Sequence, residues 1–124
     1  MNWDYVAGYF DGEGCAGFYH HPKGTKFAQL IFSNTNLESL QAIHAFLGHG
    51  YIRPKHNKSS GFGVKLMYEL RIGHHEDVLR IAKTLAPLTI IKRQRLLELI
   101  SEIEAYPWQN SQVHRRSKFT ESGA

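Results

Sequence analysis

Nine residues near the N-terminus, Val6-Ala7-Gly8-Tyr9-Phe10-Asp11-Gly12-Glu13-Gly14, constrain the fold more than any other stretch. An apolar, small-residue helix runs into two carboxylates separated by one glycine. Ala7, Gly8 and Gly12 leave one helix face almost bare of side chains, so another backbone can approach it closely. Asp11 and Glu13 stand where that face ends. If a second copy of the helix packs there, two carboxylate clusters meet at a two-fold axis. Clustered carboxylates repel unless a divalent cation lies between them. The stretch therefore points to a dimer interface, with Ala7, Gly8 and Asp11 as its candidates, and to a metal-dependent site at Glu13. Asp11 lies two residues before Glu13 and faces elsewhere, so capping or interface hydrogen bonding suits it better than metal binding.

At 124 residues the chain is long enough for one domain with its own core and too short for two. With 42% hydrophobic residues it is not a disordered chain. Its one cysteine, Cys15, rules out an intramolecular disulfide and a cysteine-based zinc site, and fits an intracellular, cytoplasmic setting. No apolar run approaches the roughly 20 residues that cross a bilayer, and no signal-peptide pattern opens the chain, so no membrane partner is expected. Fifteen Lys and Arg against eleven Asp and Glu give a net charge of +4. That surplus bears on nucleic acid only if it gathers on one face.

Asn2 or Asp4 can cap a first helix that ends about Asp11, stopped by Gly12 and Gly14. Glu13 to His21 and Phe27 to Ser33 read as the arms of a hairpin turning at Pro22-Lys23-Gly24. Thr35-Asn36-Leu37-Glu38 has the form of a capping box for a second helix that Gly48 and Gly50 stop. Tyr51 to Lys55 is a short strand, 57–63 a polar turn, and Val64 to Ile72 the clearest alternating strand. Helices follow over His75 to Leu85 and about Ile90 to Ala105. This order predicts an α+β fold: a four-stranded antiparallel sheet with helices on one face, over residues 1–106. Residues 107–124 read as a polar, weakly ordered tail.

Val6 to Gly14 resembles the LAGLIDADG motif position for position, with conservative changes, and the element spacing agrees over about residues 3 to 105. The motif occurs once. The family comprises homing endonucleases, with some splicing maturases and DNA-binding relatives. The resemblance implies an αββαββα(α) fold and a homodimer, because one motif supplies half of an active centre. It implies metal-dependent hydrolysis of both strands of a long, near-palindromic double-stranded DNA site, leaving short 3′ overhangs. Glu13 would hold the metal with the backbone carbonyl of Gly12. Mg2+ is the implied ion, with Mn2+ or Ca2+ able to replace it in binding, and no small-molecule cofactor is implied. Lys92 opens the fourth helix, where the helix dipole disfavours a cation unless a partner compensates. The resemblance places a lysine there within reach of the active-site water. Asn36 is either a helix cap or a residue that positions water.

Tyr19, His21, Lys23, Lys26, Gln29, Ser33, Arg53, Lys55, Lys65 and Arg71 form a second constellation, expected by alternation on the sheet face opposite the helices. One polar face is ordinary for an antiparallel sheet. This one is basic and aromatic, with Glu69 its evident acid, and such a face supplies groups for base edges and phosphates. Hairpin arms of about ten residues would track on the order of ten base pairs per subunit. Two readings compete: a non-cleaving nucleic-acid-binding protein on the same fold (a splicing maturase or transcriptional regulator), and a small dimeric structural protein. Eight histidines, with pairs at His20-His21 and His74-His75, raise a zinc site, but strand neighbours point to opposite faces and cannot both chelate.

Overall fold

A computed structural model of the protein describes residues 1–55 and 66–107. The turn expected over 57–63, the first residues of the fourth strand and the tail beyond Pro107 lie outside the described residues.

Helix α1 spans Trp3–Glu13, and Asn2 opens it by accepting the Tyr5 N–H at 2.8 Å. The helix runs two residues past Asp11, where it was expected to stop. Gly12 is a weak helix former, but Val6, Ala7 and Phe10 are buried along one side, and that packing outweighs a propensity cost of about 1 kcal/mol. Gly14 makes the exit. A Cβ there would lie 2.3 Å from the Phe10 ring, so only glycine lets the chain leave the helix directly over that ring.

Strand β1 (Gly14–His20) and strand β2 (Lys26–Asn34) form the first hairpin, closed by the Gly24 N–H on the His21 carbonyl at 2.8 Å. Helix α2 (Leu37–Leu47) follows. Its cap is Asn36, whose side chain accepts the Ser39 N–H at 2.8 Å, while the Ser39 hydroxyl donates back to the Asn36 carbonyl at 2.9 Å. The box therefore starts one residue later than Thr35, with Ser39 in place of Glu38. Strand β3 (Tyr51–Lys55) and strand β4 (Met67–Ile72) make the second hairpin. Helix α3 (His75–Leu85), a 3-10 turn (Ala86–Leu88) and helix α4 (Arg93–Ala105) complete the described chain. Helix α4 begins three residues later than expected.

The sheet is antiparallel throughout, in the order β1-β2-β4-β3. Its inner face contributes Ala16, Ala28, Leu30, Phe32, Leu70 and Ile72 to the core. The helices lay Phe10, Leu40, Ile43, Ile81, Leu85, Leu96, Leu99 and Ile103 against it. Phe10 meets Phe32 edge to face at 5.1 Å, which pins the end of α1 to the middle of the sheet. This is the α+β, αββαββαα arrangement expected.

Candidate active site and nucleic-acid face

The C-terminal end of α1 is held by the start of α4. The two oxygens of the Asp11 carboxylate accept the backbone N–H groups of Ile90 and Lys92, each at 2.8 Å. Burial pushes the Asp11 carboxyl pKa up, but the N–H groups of Lys92, Ile90 and Ile91 and the Lys92 charge outweigh it and hold the carboxyl below its usual range. Asp11 thus ties the segment leading into α4 to the end of α1, through N–H groups that precede the helix and not those of its first turn.

The cation at the start of α4 finds its compensation at the end of α1. The Lys92 ammonium donates to the carbonyls of Gly14 at 2.7 Å and Asp11 at 3.3 Å. Carbonyls at a helix C-terminus carry partial negative charge, so the ammonium is favourably placed there. The carbonyls it binds flank Glu13 in the chain, the last helical residue, which is exposed. Among the described residues, no donor or cation meets the Glu13 carboxylate. Asn36 lies past the end of β2 that pairs with Gly14, and its side-chain oxygen is taken by the α2 cap.

Ala7 corrects the interface expectation. It is 1% exposed and belongs to the chain's own core with Val6 and Phe10, because positions 3, 6, 7 and 10 make one helical stripe. Gly8 and Gly12 are both exposed, and a Cβ on either would meet nothing within 4 Å. Near them the Ile90 and Ile91 side chains are 81% and 73% exposed. Sequence reading missed this pair, although two adjacent isoleucines before a basic helix are a visible signal of an apolar surface.

On the outer sheet face, register brings Ser33, Glu69 and Arg53 into one row and Ile31, Arg71 and Tyr51 into the next. Tyr19, Gln29, Ser33, Arg53, Lys55 and Arg71 share this side, while His21 and Lys23 sit at the hairpin turn. The Tyr19 ring folds back over Gly17, where a Cβ would come within 2.6 Å of it, and its hydroxyl lies 4.0 Å from the Cys15 sulfur. Lys26 corrects the face assignment. It shares the parity of Ala28, Leu30 and Phe32, so it lies on the helix side, with its ammonium 5.7 Å from the centre of the Phe18 ring. Lys65 lies outside the described residues. Glu69 is 2% exposed and takes ion pairs from Arg53, Lys55 and Arg71. Burial raises its pKa, but the Arg71 hydrogen bonds and charge, then Lys55 and Arg53, outweigh that and hold the carboxyl below its usual range.

The His74 and His75 rings stack at 5.1 Å at the start of α3. No group of three or more His, Cys, Asp or Glu that could hold a metal converges among the described residues. The donors at the end of α1, one free carboxylate and helix-terminal carbonyls, are hard oxygens of the kind that suit Mg2+ or Ca2+.

No family profile matches the sequence, and no curated protein matches it either. Solved structures do. The homing endonuclease I-CvuI, in complex with its target in the presence of Ca, is 22% identical with a TM-score of 0.68 over 89% of this chain and 69% of that one. The homing endonuclease I-TnaI is 22% identical with a TM-score of 0.65 over 83% of this chain and 71% of that one. The LAGLIDADG meganuclease I-AabMI, bound to uncleaved DNA, is 16% identical with a TM-score of 0.66 over 99% of this chain and 40% of that one. No helix among the described residues is long and apolar enough to cross a membrane. The chain has the fold of the LAGLIDADG homing endonucleases.

Proposed function

We propose that the protein is a homodimeric, divalent-metal-dependent DNA endonuclease that hydrolyses both strands of a long, near-palindromic duplex and leaves short 3′ overhangs. The observation that carries the reading is the end of α1. An exposed carboxylate, Glu13, and a lysine ammonium held on the carbonyl of the next residue, Gly14, end a helix with a bare stripe at Gly8 and Gly12. One chain supplies one free carboxylate, so two chains meeting along that stripe would complete the oxygen donors. Leu88, Ile90 and Ile91, at 42%, 81% and 73% exposure, supply apolar surface for the same contact.

Glu13 and the Gly12 carbonyl would hold Mg2+, which when bound activates water and stabilises charge on the phosphate and the leaving oxygen. Lys92 adds a positive charge near the phosphate, fixed in direction by the Gly14 carbonyl. The outer sheet face would lie in the major groove, where Ser33 and the basic residues of β3 and β4 face bases and phosphates, whereas Gln29, expected among them, is 7% exposed and withdrawn from that surface. Strands of 7 and 9 residues are about 23 and 30 Å long, shorter than the sequence implied. At about 3.4 Å per base pair each hairpin tracks roughly seven to nine pairs.

The test is incubation with a randomised duplex library in magnesium, followed by sequencing of cleaved ends, with Glu13→Gln in parallel. Cleaved ends with a near-palindromic consensus, lost in Glu13→Gln while binding persists, are expected. Sequence-selective binding without cleavage by the wild type would instead make the protein a non-cleaving DNA-binding member of the fold. Cleavage by Glu13→Gln at the wild-type rate would remove the α1 end from the chemistry.

A further inference from the structure

We propose that Glu69 is a positioning residue for base readout: its buried carboxylate fixes Arg53, Lys55 and Arg71 in a reading geometry on the outer sheet face and limits their net charge. The inference rests on the DNA-binding reading of that face.

The Glu69 side chain is 3% exposed, while the cations around it are open to solvent: Arg53 48%, Lys55 53% and Arg71 22%. One oxygen accepts Arg71 Nε at 3.1 Å and Arg71 Nη2 at 3.0 Å, with Arg53 Nε at 3.4 Å. The other oxygen faces Lys55 Nζ at 3.6 Å. A buried carboxylate with its partners is seldom a gain in stability over an apolar residue of similar size. The arrangement does achieve something else. Arginine and lysine side chains lose rotamer freedom when they engage a ligand, and here much of that loss has already occurred in the free protein. Arg71 turns its Nε edge to Glu69, which leaves its Nη1 side to face a base edge; a guanidinium in a set plane is what bidentate guanine recognition requires. Three cations against one carboxylate leave two net positive charges, so attraction to phosphate of any sequence is held down while base contacts are kept.

The measurement uses the full chain with a pool of random-sequence 30-base-pair duplexes in Ca2+. Affinity is followed against salt and the bound fraction is sequenced. Glu69→Gln is expected to bind the unselected pool more tightly at low salt, with the log–log salt slope steeper by about 0.9, the effect of one added charge. Discrimination at the base pairs under β3 and β4 should fall about ten-fold, the loss of one good bidentate contact. Glu69→Gln with Lys55→Gln restores the net charge, so the slope should return to the wild-type value while discrimination stays low. Should Glu69→Gln fail to fold, Glu69→Asp keeps the charge and retracts the carboxylate by one methylene, and should show a wild-type slope with weakened discrimination. A Gln or Asp variant with unchanged slope and unchanged sequence preference overturns the proposal. So does a uniform loss of affinity for all sequences, which would make Glu69 a purely structural residue. Wild-type protein that binds no duplex overturns it together with the reading on which it rests.

Discussion

Replacing Asp11 with asparagine should uncouple the start of α4 from the end of α1. Each carboxylate oxygen now accepts one backbone N–H at 2.8 Å, across 79 and 81 positions of sequence. Hydrogen bonds to a charged group contribute about 1.5–3 kcal/mol each, and a partly exposed site belongs at the low end. Asparagine keeps one neutral acceptor and turns an NH2 group toward the other N–H. The net loss is about 2 kcal/mol, close to the upper range for a helix cap. For a domain of this size that lowers the melting temperature by about 8 °C. The pH dependence separates this account from a general loss of packing. The folded-state pKa of Asp11 lies below its unfolded value, so the stabilisation is fully present above about pH 4 and is lost as the pH falls through the folded value. Melting of wild type and Asp11→Asn from pH 7 down to pH 2.5 should therefore show a gap that closes in acid. A gap that stays constant over that range, or no gap at pH 7, would refute the reasoning.

The remaining predictions concern the same helix end. Lys92→Met removes the ammonium from the Gly14 carbonyl and should slow cleavage about a hundred-fold while changing DNA affinity little; an equal fall in both, by single-turnover and binding assays, would make Lys92 a backbone contact. A Cβ at Gly8 meets nothing within 4 Å inside the chain, so for Gly8→Leu circular dichroism should report an intact fold while sedimentation reports a monomer; an intact, active dimer would place the interface elsewhere. Gly14→Ala should cost about 1–3 kcal/mol, because its Cβ must displace the Phe10 ring from the core, and unchanged melting would show that the ring can move.

The element order was legible because alternation in β2 and β4 and the helical stripes of α2 and α3 are local patterns. What sequence left open depends on partners distant in the chain. The end of α1 was placed early because Gly12 reads as a stop, while the packing of Val6, Ala7 and Phe10 that carries the helix onward, and the Asp11 bonds to residues 90 and 92, depend on distant parts of the chain. Ala7 was placed at the interface because a small side chain suits a foreign backbone as well as the chain's own core; the stripe at 3, 6, 7 and 10 separates the two. Lys26 was assigned by alternation to the outer face, although its parity with Ala28 puts it on the other one. Glu69 stood out as the acid of a basic face, but its burial follows from the register of three strands and not from its neighbours in sequence.

The angular order of α1 explains how one short helix can serve fold and site together. Successive residues turn by about 100°, so Val6, Ala7 and Phe10 face the core while Tyr5, Gly8 and Gly12 face outward. Asp11 falls between these faces and reaches sideways to α4, and Glu13 comes after the last buried turn. The contacts that set Lys92 relative to Glu13 are all made within one chain. Each half of the proposed centre is therefore formed before two chains meet, and assembly need only bring the halves together. Changes on the outward face should then affect assembly without changing the chain's own stability, whereas changes at Asp11 or Gly14 should lower that stability. The Gly8 and Asp11 variants differ in that respect although their residues lie three positions apart, and melting measured beside sedimentation on the same two proteins distinguishes a preformed half-site from one that folds only on assembly.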